Sequence, residues 1–188
     1  MVVPHIAEPD VAAAYLPLKA SSDLGLDVSV GAAVVIAPGV AATCAHNANL
    51  VDPKSVIGIV QDYDLMFFRT EQGRPPPLAA PVVGASVTAY GEDSDGGLRR
   101  ASGVVRKIVP CAGCSEPAYF IFSNPRRGGL DAGPGFSGGP VVDGAGRVVG
   151  ITFGYKDEGG QRLIYAYDMA RVTAEYARAA RSHQAALP

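Results

Sequence analysis

The chain has 188 residues, 48% of them hydrophobic, with 23 Gly, 15 Pro and no Trp, enough for one sizeable core or two small ones. Its 16 Lys and Arg against 18 Asp and Glu leave a formal charge of -2, which gives no electrostatic reason to expect nucleic acid and no basic run suited to a membrane surface. No segment reaches the run of about 18 apolar residues that a membrane span needs.

In chain order, Met1 to Glu8 has neither a basic start nor a continuous apolar stretch, so the reading is a cytoplasmic protein, or one whose leader has been removed. Residues 1–20 read as an N-terminal extension, with Asp10 to Leu16 as a short helix stopped near Pro17. Within 21–72, Gly31 to Ala37 is a strand of small apolar residues, Pro38-Gly39 a turn, and Val40 to Cys44 a second strand ending just before His46. Asp62 and Asp64 then precede the apolar strand Leu65-Met66-Phe67-Phe68. Residues 73–81, rich in proline, break every hydrophobic period and read as a linker. In 82–167, strands are expected at 84–91, 101–109, 118–123, 139–143, 147–154 and 162–167. Residues 168–188 change to a helix and tail, with Asp168 as the N-cap and Met169, Val172, Tyr176 and Ala180 on one face.

The stretch Gly135-Phe136-Ser137-Gly138-Gly139-Pro140-Val141-Val142 carries the chemistry. Glycines around Ser137 leave its hydroxyl and the amides of Gly135 and Ser137 free to converge on a carbonyl oxygen that gains charge during attack. The plain alternative is a glycine-rich turn leading into a strand. A serine hydroxyl is a poor nucleophile at neutral pH and needs an imidazole as base, held in turn by a carboxylate. His46 and Asp64 supply both, with Asp62 as the competing carboxylate; His5 and His183 lie near the termini.

On these residues the sequence resembles the trypsin-like serine peptidases of the chymotrypsin fold. "ATCAH" stands for the family's T-A-A-H, "DLMFFR" for its aspartate strand and "GFSGGPVV" for G-D-S-G-G-P. Gly84 to Gly91, followed by Ala101 to Val105, is similar to the HtrA-like bacterial branch, and Gly150-Ile-Thr-Phe-Gly154 to the strand lining the substrate cleft. The resemblance implies an all-β fold of two six-stranded antiparallel barrels, 21–72 and 82–167, with a C-terminal α-helix. It further implies a serine endopeptidase with His46, Asp64 and Ser137 as triad, Gly135 and Ser137 as oxyanion donors, and Thr152, Phe153 and Gly154 along the substrate. Asp131 would sit at the base of the pocket for the side chain before the cleaved bond, where it would select Arg or Lys; the alternative is that it only caps its loop. Phe136 replaces the aspartate that receives a new N-terminal amine in zymogen-activated members. No cofactor or metal is implied, the partner is a protein or peptide substrate, the identity of any regulatory protein partner is left open, and the peptide-regulated oligomer of PDZ-bearing HtrA-like relatives is not implied. A catalytically silent module that kept the fold is the alternative function.

An esterase of the α/β-hydrolase fold shares G-x-S-x-G but needs Asp and His after the serine, and the single histidine among the 51 residues after Ser137 is His183, close to the C-terminus. Cys111-Ala-Gly-Cys114 lacks a second ligand pair for zinc and reads as a loop pair, reduced or locally bridged.

Overall fold

In a computed structural model, residues 6–21, 27–92, 96–123 and 132–185 are described. Strands β1 (Tyr15–Ser21), β2 (Asp27–Ala37), β3 (Val40–Thr43), β4 (Val56–Val60) and β5 (Leu65–Arg69) form an antiparallel sheet in the order β1-β2-β3-β5-β4. The Pro38-Gly39 turn forms as expected, with Gly39 at φ 73°. The expected first six-stranded barrel is instead a five-stranded sheet, not closed among the described residues. Between His46 and Asp64 the chain spends Ala45–Leu50 and Pro53–Ser55 on 3-10 turns, leaving room for β4 alone. Part of the expected extension belongs to this sheet: helix α1 (Pro9–Ala14) ends early, and β1 pairs with β2 from Tyr15↔Val34 to Ser21↔Asp27. Pro17, which has no N–H to give, is tolerated there because β1 is an edge strand.

Strands β6 (Ser86–Glu92), β7 (Leu98–Pro110), β8 (Pro117–Ser123), β9 (Pro140–Asp143), β10 (Val148–Glu158) and β11 (Gln161–Asp168) close into a barrel in the order β10-β11-β8-β7-β6-β9. Alternation points Phe120, Phe122, Val105, Val141 and Ile164 inward, where each large side chain contributes about 1.5 to 3 kcal/mol. A second core joins the two sheets through Val34, Phe67, Tyr90, Ile151 and Tyr167. The linker is pinned to the barrel, since Val148 donates to the Pro77 carbonyl and accepts from Ala79.

Helix α2 (Met169–Ala185) starts where Asp168 Oδ1 accepts the Ala170 N–H at 2.8 Å, the expected cap. Met169 and Val172 are buried as expected, and so are Arg171 and Glu175. Arg171 donates to Glu175 at 2.8 Å and to the carbonyls of Glu116 and Pro117, so the charge is satisfied inside the fold. The helix also covers β4, whose Gly58 leaves room for Ala179.

Candidate active site

His46 and Asp64 meet because β3 and β5 are neighbours in the sheet. Cys44 ends the extended stretch and the chain turns, exposing His46 in the first 3-10 turn. The Asp64 carboxylate takes the His46 backbone N–H on Oδ1 at 2.9 Å, and His46 Nδ1 lies 2.5 Å from Oδ2. On its far side, the Asp64 N–H donates to the Tyr167 hydroxyl at 2.8 Å. Burial pushes the Tyr167 phenol well above its usual range, so it stays neutral and can accept that bond. Asp62 is exposed, and of the two aspartates it is Asp64 that binds His46. The pair is reachable, its side chains being 50% and 34% exposed.

Ser137 is held beside this pair by its backbone. With Ser137 at φ -58°, ψ 121° and Gly138 at φ 87°, the Gly139 N–H closes onto the Phe136 carbonyl at 2.9 Å, a type II turn. The Ser137 carbonyl accepts from Ala32 N–H and from Asn47 Nδ2, each at 3.0 Å. Asn47, next to His46, also donates to Thr43 Oγ1, so one buried amide ties the serine turn to the histidine turn. Sequence reasoning missed Asn47, and no local pattern marks it. The Ser137 hydroxyl makes no hydrogen bond to His46 or to any other group among the described residues.

Gly138 cannot be replaced without cost. A Cβ there would lie 2.0 Å from the Ala32 carbonyl oxygen, at a φ that L residues avoid. Gly138→Ala is expected to lower stability by about 2 kcal/mol or more and to displace Ser137, read as a lower melting temperature together with lost activity.

Phe136 anchors the turn in the barrel core, and Gly91 lacks a side chain where that ring passes. An apolar anchor thus fills the place where an aspartate was expected in zymogen-activated relatives. Pro134–Phe136 form a 3-10 turn, closed by the Phe136 N–H on the Gly133 carbonyl at 3.0 Å, and Gly135 is not among the glycines at positive φ. Such a turn directs the Pro134 carbonyl toward the Ser137 amide. Presenting the Gly135 and Ser137 amides together to an oxyanion therefore requires rotation of the Pro134–Gly135 peptide plane. Pro followed by Gly suits the type II turn this would make.

On β10, Thr152 is buried; its N–H donates to Gly139 and its carbonyl accepts from Gly138 N–H and Cys44 Sγ. Both backbone groups are engaged, so Thr152, expected along the substrate, has none left for a substrate strand. Phe153 is the bulge residue between Thr152 and Gly154, and Gly154 faces open space. Beside Asp64, a hollow of about 550 Å³ is lined by Ile59, Val60, Tyr63 and Tyr167. Asp131 and its loop lie outside the described residues.

The donor atoms of Cys44, His46 and Asp64 lie within 4.8 Å of one another, a set able to hold a metal ion. Burial, then the charge of Asp64, pushes the Cys44 thiol well above its usual value, against the thiolate a metal needs. Among the described residues, no helix is long and apolar enough to cross a membrane.

A family model described as a trypsin-like peptidase domain matches residues 30–151. Among solved structures, the MamO protease domain of Magnetospirillum magneticum in its apo form is similar at 16% identity and TM-score 0.63, covering 89% of this chain and 97% of that one. The active form of the Rv3671c protease of M. tuberculosis is similar at 20% identity and TM-score 0.66, over 90% and 83%. The HtrA-type protease AlgW with a decapeptide is similar at 20% identity and TM-score 0.63, over 84% of this chain and 53% of that one. No curated protein matches.

Proposed function

Because the chain belongs to the trypsin-like peptidase family, we propose that it is a serine endopeptidase acting through His46, Asp64 and Ser137. The observation that carries this reading is the doubly bonded Asp64–His46 pair with the Ser137 turn fastened to the next residue, Asn47. His46 takes the Ser137 proton as the oxygen attacks a peptide carbonyl, and Asp64 stabilises the imidazolium. The Gly135 and Ser137 amides hold the oxyanion once the Pro134–Gly135 peptide has rotated; one such donor is worth about 3 to 4 kcal/mol of barrier. His46 then returns the proton to the leaving amine, and water repeats the cycle on the acyl-enzyme. The half-buried bulge at Phe153 and Gly154 offers the backbone for a substrate strand. A decapeptide accompanies AlgW, of the same fold, which supports a peptide substrate.

Labelling with a fluorophosphonate tests the reading, because the probe needs both an activated serine and a working oxyanion site. Label on Ser137 with cleavage of peptides supports it; absence of both favours the silent module. The preference before the cleaved bond is assigned to Arg or Lys through Asp131. The second reading of that pocket is that Asp131 only caps its loop. Matched peptides with Arg, Lys, Val, Ala or Phe decide: Arg and Lys should be preferred, with the preference lost in Asp131→Ser. A Val or Ala preference untouched by that change refutes the basic pocket and leaves the peptidase standing.

A further inference from the structure

Hydrolytic chemistry leaves the Cys111-Ala112-Gly113-Cys114 motif without a role. It forms the tip of the β7–β8 hairpin, where Cys111 and Cys114 are joined by a disulfide and both are partly exposed. Tyr63, the residue before Asp64, donates its hydroxyl to Cys111 Sγ at 3.4 Å. The Tyr63 ring meets Tyr167 edge-on, with centroids 5.7 Å apart, and the Tyr167 hydroxyl accepts the Asp64 N–H. The Arg171 guanidinium lies over the Tyr63 ring, 5.3 Å from its centre, and binds the carbonyls of Glu116 and Pro117 where the returning strand begins. Hairpin tip, Tyr63, Tyr167 and Asp64 are thus one continuous chain of contacts.

We propose that Cys111–Cys114 is a redox-active disulfide, opened by a low-molecular-weight dithiol, whose closed form holds Tyr63 and through it the Asp64 backbone in place. Its effect on turnover rests on the peptidase reading above; the chemistry of the bridge does not. A thiolate of the dithiol attacks Cys114 Sγ, the S–S bond breaks, and Cys111 leaves as a thiolate. The Tyr63 hydroxyl, already donating to that sulfur, stabilises the departing charge. The second thiol of the reductant then expels Cys114 and closes a cyclic disulfide. Two electrons and two protons pass to the protein, which ends with two thiols. Partial exposure at a hairpin tip provides access, whereas buried Cys44 stays out of reach. Once open, Cys111 turns away freely, and Tyr63 loses the contact that fixes its ring against Tyr167. Tyr63 is a positioning residue here.

The test uses the whole chain, treated natively with excess dithiothreitol and then alkylated. Cys111 and Cys114 should both be alkylated, kcat should fall about tenfold with KM unchanged, the scale of one lost hydrogen bond, and reoxidation should restore it. The Asp64 amide should exchange hydrogen faster in the open form. Tyr63→Phe should show the lower kcat in both redox states, and Cys111→Ala with Cys114→Ala should match the reduced protein. A bridge that stays closed under excess dithiol overturns the proposal. So do equal kcat and equal Asp64 exchange in the two states, or a Tyr63→Phe variant that responds as the wild type does. If no state hydrolyses peptides, the Asp64 exchange decides alone: faster after reduction supports the coupling, unchanged refutes it.

Discussion

Ser137→Ala is expected to abolish hydrolysis of peptides and small esters, a loss of about a million-fold in kcat, while leaving the melting temperature nearly unchanged. The first half follows from the chemistry: without Oγ no acyl-enzyme forms, and the remaining groups can only bind and polarise. The second half follows from the packing. The serine turn is held by its carbonyl, through Ala32 and Asn47, and by the Gly139–Phe136 bond, none of which involves the hydroxyl. Alanine also adopts the Ser137 backbone angles without strain. Hydrolysis assays and a thermal melt on the same preparation check both halves, and full activity in the variant would remove Ser137 from the mechanism. A lower melting temperature with activity lost would mean instead that the hydroxyl supports the fold.

Asp64→Asn is expected to lower kcat by about ten-thousand-fold with the fold intact. The carboxylate accepts two bonds at once, from the His46 backbone and from Nδ1. An amide has one oxygen for them. With that oxygen on the backbone N–H, its NH₂ faces Nδ1 and forces the proton onto Nε2, the nitrogen that must receive the serine proton. Asp62→Asn should change little, because Asp62 points to solvent and does not bind the imidazole. Steady-state kinetics on the two variants separates them, and a large loss in Asp62→Asn alone would transfer the role. The two aspartates are of one type and two positions apart, so this comparison isolates geometry from charge.

The redox inference makes a further demand on the same carboxylate. If the hairpin tip steadies Asp64 from behind Tyr167, removing the bridge should cost far less than removing the carboxylate, since it loosens one contact in a chain while the bonds to His46 persist. A tenfold effect beside a ten-thousand-fold one is the expected ordering.

What the sequence by itself determined is local in origin. Apolar alternation marked the barrel strands, Pro38-Gly39 marked a tight turn, Asp168 marked the start of α2, and the glycines around Ser137 marked a serine left free of neighbouring side chains. Family likeness and the order His46, Asp64, Ser137 pointed to one chemistry because each residue stands at the end of a recognisable strand or turn. Only the tertiary structure decided matters that depend on which distant segments meet. It placed Asp64 rather than Asp62 against the imidazole, since β3 and β5 pair in one register. It engaged Thr152 internally through a bulge at Phe153, and it set Asn47, Tyr167 and Tyr63 around the site from three separate stretches. It buried Arg171 and Glu175, whose polarity in a helix reads as surface until a hairpin supplies carbonyls to satisfy them. Among the described residues it also left the first sheet open, because the short path from His46 to Asp64 holds turns in place of another strand. Periodicity and turn chemistry act over a few residues, whereas register, burial of a charge and the contacts of a catalytic carboxylate are properties of the whole packed chain.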